Sequence, residues 1–274
     1  MFLHQQDRTI YIADCFNHRI VQWKLNSTDG QIVAGGNGLG SHTNQLDRPT
    51  DVILDRQDKS LIIADSRNRR VLRWAREKNE YQEIIISDIE CYGLAMHEDG
   101  SLYVSDCGKD EVRRWKKGER RGTLVAGGNG KGNRLNQFDL PTHLFVDDDH
   151  TLYVSDRNNH RVIKWFKGAN EGIVVAGGDI QGNLMTQLFR PQGVVVDQLG
   201  QVYVADCWNH RVMRWSPGIK EGTVIVGGHG KGEEANQLSC PVGLSLDVKG
   251  NLYVVDNGNS RIQKFEIEQE EKKT

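Results

Sequence analysis

The sequence predicts an all-β fold: a six-bladed β-propeller of four-stranded antiparallel blades, with one outer strand missing at the closure. Three observations carry this. First, an aspartate recurs at Asp14, Asp65, Asp106, Asp156, Asp206 and Asp256, at spacings of 51, 41, 50, 50 and 50 residues. A period of that size marks one supersecondary unit used repeatedly. Second, four short β-branched or aromatic runs fall in each unit, separated by turn residues. Third, those runs are apolar on consecutive rather than alternate residues, which predicts sheets buried on both faces, as in blades packed side by side. Radial repetition of such sheets closes into a propeller.

The elements follow in order within each unit. One run follows a proline (Val52-Ile53-Leu54, Val194-Val195-Val196), and a second precedes the aspartate (Ile10-Tyr11-Ile12, Leu102-Tyr103-Val104, Leu152-Tyr153-Val154). A third ends in an aromatic at Trp23, Trp74, Trp115, Trp165, Trp215 and Phe265, which is expected to pack between blades. A fourth precedes a double glycine (Leu124-Val125-Ala126, Ile173-Val174-Val175-Ala176). Met1 to His4 align with Val52 to Asp55, so the chain opens inside the first strand of blade 1. Blade 6 ends without a fourth run, and a fuller parent protein is expected to supply that strand from before Met1. Residues 1–267 are read as a single propeller and 268–274 as a charged tail.

The unit Asp-x-x-Asn-x-Arg-Val-x-x-Trp, preceded by Leu-Tyr-Val and followed by Pro-x-Gly-Val, resembles the NHL repeat. Its inter-blade loops, with Ala34-Gly35-Gly36-Asn37-Gly38 and Asn44-Gln45-Leu46, look most like the NHL arrays of bdelloid rotifer proteins. The resemblance implies a non-catalytic binding or scaffold module, engaging a protein partner through one end face and forming part of a larger multidomain protein. Modules of this kind recruit substrates in ubiquitin-ligase-type proteins or serve as ligand-binding ectodomains.

Two blades depart from the pattern. Blade 2 runs on through Ala75-Arg76-Glu77-Lys78-Asn79-Glu80 and lacks the long glycine loop, which accounts for the 41-residue spacing. Blade 3 carries Lys109 and Glu111 where the other units have Asn and Arg. Such a departure is either a site or drift.

The pairs Asp14 and Arg19, Asp65 and Arg70, Asp156 and Arg161, Asp206 and Arg211, Asp256 and Arg261 are read as scaffold, the aspartate accepting turn N–H groups and the arginine pairing bidentately. No catalytic residue is assigned. Gly127-Gly128-Asn129-Gly130-Lys131-Gly132 lacks the Ser or Thr and the following helix that a phosphate loop needs. Among related propellers the amidating lyase holds zinc early in its inner strands. The matching positions here are Thr50, Thr142, Gln192 and Val242, with only His143 one place on, so no metal and no cofactor is expected. Asp147-Asp148-Asp149 is read as a hairpin tip. A metal-dependent lyase or lactonase is the third functional reading.

The net charge of −2 argues against a protein built wholly for nucleic acid. Locally, Arg67, Arg69, Arg73, Arg76 and Lys78 in blade 2 and Arg113, Arg114, Lys116 and Lys117 in blade 3 concentrate basic charge. They are either solvated surface or an RNA-binding patch, the second functional reading, since propellers of the TRIM-NHL kind bind RNA through a basic face. Five cysteines leave the compartment open, and Cys91 and Cys107 are a candidate cross-strand disulfide. No signal or transmembrane run is visible, so no membrane insertion is expected; the chain is separately expected to be a monomer.

Overall fold

The computed structural model describes residues 1–76, 82–178 and 180–267. Lys78 and the tail 268–274 lie outside that range. Blade 1 comprises β1 (Phe2–His4), β2 (Thr9–Asp14), β3 (Arg19–Lys24) and β4 (Gly30–Gly35), hydrogen-bonded in that order. Blade 2 follows with β5 (Pro49–Asp55), β6 (Ser60–Asp65), β7 (Arg70–Trp74) and β8 (Gln82–Ser87). Blade 3 is β9 (Cys91–Met96), β10 (Leu102–Asp106), β11 (Glu111–Trp115) and β12 (Thr123–Gly127). Blade 4 is β13 (Pro141–Val146), β14 (Leu152–Asp156), β15 (Arg161–Trp165) and β16 (Ile173–Gly177). Blade 5 is β17 (Pro191–Val196), β18 (Val202–Asp206), β19 (Arg211–Trp215) and β20 (Thr223–Gly227). Blade 6 is three-stranded among the described residues: β21 (Pro241–Leu246), β22 (Leu252–Asp256) and β23 (Arg261–Phe265).

All strand pairs are antiparallel, as hairpin-linked neighbours must be. The two ends of the ring therefore differ. One carries the 3₁₀ turns between second and third strands, such as Cys15–Asn17 and Cys207–Asn209, together with the glycine loops between blades; we call it the turn face. The other carries the hairpins between first and second strands, and we call it the hairpin face.

Six apolar clusters hold the blades edge to edge. Tyr11, Ile20 and Leu46 meet Leu54, Leu61 and Leu72 between blades 1 and 2, and equivalent sets recur to blade 6. The consecutive apolar runs have this cause: alternate side chains of one sheet enter the seams on either side. Among the described residues the closing seam buries the smallest cluster: Leu3, Ile10 and Tyr253. Trp74, Trp115, Trp165 and Trp215 are buried as expected, whereas Trp23 is exposed. The double glycines of blades 1, 3 and 5 turn in the left-handed region, and a Cβ on Gly35 (φ 67°) would sit 2.5 Å from the His18 carbonyl oxygen. No helix among the described residues is long and apolar enough to cross a membrane.

Candidate functional site

The repeated Asp and Arg build a staple at the turn face. In blade 4, Asp156 Oδ1 accepts the Asp139 N–H at 2.8 Å, and Oδ2 accepts Asn159 Nδ2 and Arg161 Nε, both at 2.8 Å. The Arg161 Nη atoms donate to the carbonyls of Asn133 (2.7 Å), Arg134 (2.9 Å) and Gln137 (3.3 Å) in the incoming loop. The same arrangement recurs at Asp65 and Arg70, Asp206 and Arg211, and Asp256 and Arg261. The expected bidentate pairing is thus corrected. A single Nε–Oδ2 bond joins each pair, because the guanidinium fork is turned outward to hold the loop.

Burial pushes the Asp65, Asp206 and Asp156 carboxyls up, the last to about 6, against the opposing pull of these hydrogen bonds. In blade 1, Asp14 accepts Asn17 Nδ2 (2.9 Å) and Arg19 Nε (2.7 Å), but the half-exposed Arg19 makes no bond to loop carbonyls among the described residues. In blade 3, Asp106 Oδ1 accepts the Gly108 and Lys109 N–H groups, and Glu111 turns to Arg113 Nε at 2.6 Å.

Identical turns following five of the anchors project different side chains. Two residues past the anchor stand Phe16, Arg67, Gly108, Asn158, Trp208 and Gly258. Phe16 is 72% exposed and Trp208 45%. The Arg48 guanidinium lies 5.6 Å over the Phe16 ring, and that of Arg190 lies 4.4 Å over Trp208. Phe189 joins Trp208 at 5.1 Å and His160 at 5.6 Å, so a continuous aromatic patch crosses from blade 4 to blade 5. The sequence reading passed over Phe16 and Trp208. Their signal is available once the six units are aligned: a free choice at one position inside a fixed frame.

The six inner strands line a central channel of about 810 Å³ that includes the hairpin-face loops. Gly93, Gly193 and Gly243 share a position at which the strands abut; a Cβ on Gly93 would stand 2.5 Å from the Thr142 carbonyl oxygen. Blades 2 and 4 place Asp51 and His143 there instead, each in a bulged start of its strand. Asp51 accepts the Val52 N–H (2.9 Å) and the Leu94 N–H (3.0 Å), bridging to the next blade. His143 meets Tyr92 edge-on at 5.3 Å, and its Nδ1 is buried without a partner. Desolvation pushes its pKa down to about 4, despite Asp51 nearby, so the ring is neutral.

The basic residues of blades 2 and 3 are dispersed. Arg67 and Arg69 lie at the turn face, and Arg69 binds Asp88 and Glu90. Arg73 reaches the opposite end, to Asp55 and Asp58, and Lys117 meets the same Asp58 at 3.2 Å. Arg76 covers Tyr11, Arg114 lies against Tyr103, Arg113 is held by Glu111 and the Gly122 carbonyl, and Lys116 is exposed.

The proposed disulfide is corrected: Cys91 and Cys107 are free thiols, donating to the carbonyls of Arg70 (3.2 Å) and Pro141 (3.1 Å) respectively. A bulge between Val104 and Asp106 sets Cys91 opposite Asp106, and adjacent strand residues point to opposite faces. Burial pushes both thiols well above the usual range.

Fold and site together define a six-bladed β-propeller in which fixed staples present variable turns and a polar-ringed channel. The propeller carries NHL repeats: the NHL repeat family matches residues 190–214 and 238–265. No curated protein matches the sequence. Among solved structures, an auxiliary nutrient binding protein from Bacteroides thetaiotaomicron superposes with a TM-score of 0.76 at 16% identity, over 98% of this chain and 68% of that one. Another from Bacteroides ovatus gives 0.72 at 15%, over 98% and 68%. A catalytically inactive virginiamycin B lyase from Staphylococcus aureus, with quinupristin, gives 0.57 at 11%, over 96% and 79%. At these identities the likeness is one of fold alone.

Proposed function

We propose that this propeller is a non-catalytic binding module that engages a protein partner through its turn face. The observation that carries this is the position two residues past each anchor, which varies (Phe16, Arg67, Gly108, Asn158, Trp208, Gly258) while the frame around it repeats. Repeat scaffolds put recognition where the repeats differ. Exposed Trp and Phe backed by Arg48 and Arg190 are of the residue types that dominate binding energy at interfaces. The partner segment that fits them carries an apolar anchor flanked by carboxylates. The nutrient binding proteins of the same fold support a binding role, and the staples support a scaffold role for the Asp and Arg pairs. RNA binding loses ground, because Arg69 and Arg73 face opposite ends of the ring and are paired with carboxylates.

The test is selection of peptides from a displayed library on the wild-type chain, followed by titration of the enriched peptides against a Phe16→Ser/Trp208→Ser variant. A loss of affinity of tenfold or more, about 1.4 kcal/mol, supports the turn face. Equal affinity for both proteins refutes it.

A further inference from the structure

The residue directly after each anchor is Cys15, Ser66, Cys107, Arg157, Cys207 and Asn257 in blades 1 to 6, so blade 4 alone puts a charge at this position of the turn face. The Tyr92 phenol locates the position in the ring. It lies within electrostatic reach of Cys15, Cys107, Arg157 and Cys207, the same position in four blades at once, and only a place near the axis has that relation to a ring. Cys107 shows where the side chain points: its thiol meets the Pro141 carbonyl, at the start of the next blade's inner strand, at 3.1 Å. By the repeat, Arg157 leans over the mouth of the channel towards Pro191 and Gln192 of blade 5.

Arg157 is half-buried, and its Nε is fully shielded with no acceptor among the described residues. Other arginines of this face are satisfied. Arg161 holds Asp156 and three loop carbonyls, and Arg69 holds Asp88 and Glu90. The neighbouring Asp156 is committed to its staple and does not serve Arg157. A charged donor taken out of water without an acceptor costs free energy, and an anion brought to it recovers that cost.

The groups around it are donors without a negative charge. Gln192 is 4% exposed, and its Oε1 is buried with no partner; turned over, the same amide presents N–H instead. Burial pushes the Tyr92 phenol well above its ordinary range, so it keeps its proton and can donate. His143, edge-on to Tyr92 at 5.3 Å, is neutral and brings no charge of its own.

We propose that the turn-face mouth of the channel is a binding site for a carboxylate, held by Arg157 with Gln192 and Tyr92 as further donors. A planar guanidinium matches a carboxylate with two parallel N–H···O bonds. A single guanidinium backed by neutral donors suits one negative charge better than the two of a phosphate. The proposal rests on the reading of the turn face as the recognition face in one respect, that the carboxylate arrives on a partner peptide. It names what enters at the axis while Phe16 and Trp208 take the apolar anchor. Both an acidic side chain and a chain terminus supply that group.

The test follows the Arg157 Nε–H resonance by nuclear magnetic resonance in the full chain, isotopically labelled at arginine nitrogen. The signal is assigned by its loss in Arg157→Ser, which restores the residue of blade 2 and is expected to fold. The probes, at one ionic strength, are N-acetylglycine (a chain terminus), N-acetylisoglutamine (an acidic side chain), the neutral N-acetylglycinamide and inorganic phosphate. A saturable shift with either carboxylate, and at least about tenfold weaker binding of the amide, supports the site; the tighter carboxylate identifies the source. No saturable shift with either, an equal response to the amide, or tighter binding of phosphate overturns it. The Phe16→Ser/Trp208→Ser variant should keep the shift, which separates the two readings. A silent Arg157 with peptide affinity still lost in that variant sinks this site alone, and a responding Arg157 with peptide affinity unchanged there supports this site and sinks the peptide reading alone.

Discussion

Replacing Arg161 by alanine isolates what a staple contributes. The substitution leaves Asp156 buried with no cationic partner and strips donors from three loop carbonyls. Removing one member of a buried ion pair costs about 3–5 kcal/mol, since the charge left behind cannot be resolvated. The chain supplies its own control. Arg19 occupies the same repeat position, but it is 36% exposed on its side chain and binds only Asp14. Truncating an exposed pair costs about 0–1 kcal/mol. Arg261, with its side chain 31% exposed but its loop bonds intact, should fall between the two. The assay is urea denaturation of the three variants followed by tryptophan fluorescence and circular dichroism, using the midpoints only where both probes coincide. The reasoning fails if Arg161→Ala and Arg19→Ala destabilise by amounts within about 1 kcal/mol of each other, for then the loop bonds and burial contribute nothing.

Three further outcomes are expected. His143 has its pKa depressed to about 4 in the folded chain against 6.5 unfolded. Below pH 6.5 the unfolded state therefore binds the extra proton, and stability falls as pH drops from 6.5 towards 4, by at most about 3 kcal/mol. His143→Gly, which restores the residue of three other blades, should flatten that part of the stability profile relative to wild type. Gly93→Val should destabilise by about 1–3 kcal/mol, read as a lowered Tm, because its Cβ would be driven against the Thr142 carbonyl. All five cysteines should remain alkylatable after unfolding without reductant, whereas Cys91 reacts slowly in the folded chain; a protected pair by intact mass would restore the disulfide.

The blades were legible because their cause is local: four apolar runs and an anchor every 50 residues or so admit one architecture. The staple was legible only in part. That Asp156 meets Arg161 follows from their positions across one turn. That Arg161 also grips Asn133 to Gln137 depends on the backbone course of a loop more than twenty residues upstream, which no residue type announces. Cys91 and Cys107 misled for a related reason, since counting along a hairpin assumes an even ladder and the bulge before Asp106 breaks it. The placing of the basic residues was not legible, because nearness in sequence is not nearness in space: Arg69, just before β7, pairs with Asp88, whereas Arg73 within β7 reaches Asp55 at the other end of the blade. His97 and His150 are 53 residues apart, and only the ring geometry stacks them.

The staples all lie at one end of the ring, and this asymmetry reaches beyond stability. Loop carbonyls, anchor carboxylates and arginines lock the backbone of the turn face, so its length is fixed even where its side chains vary. At the hairpin face the tips are held only within themselves, as where Asp247 Oδ1 accepts the Lys249 and Asn251 N–H groups; Val248 stands 84% exposed, and Leu199 39%. Foreign peptide grafted at Val248 or Leu199 would project on the side away from the turn face and disturb no staple. Extra sequence would thus enter at the hairpin face and leave the rigidly held turn face, where recognition is proposed, as it is.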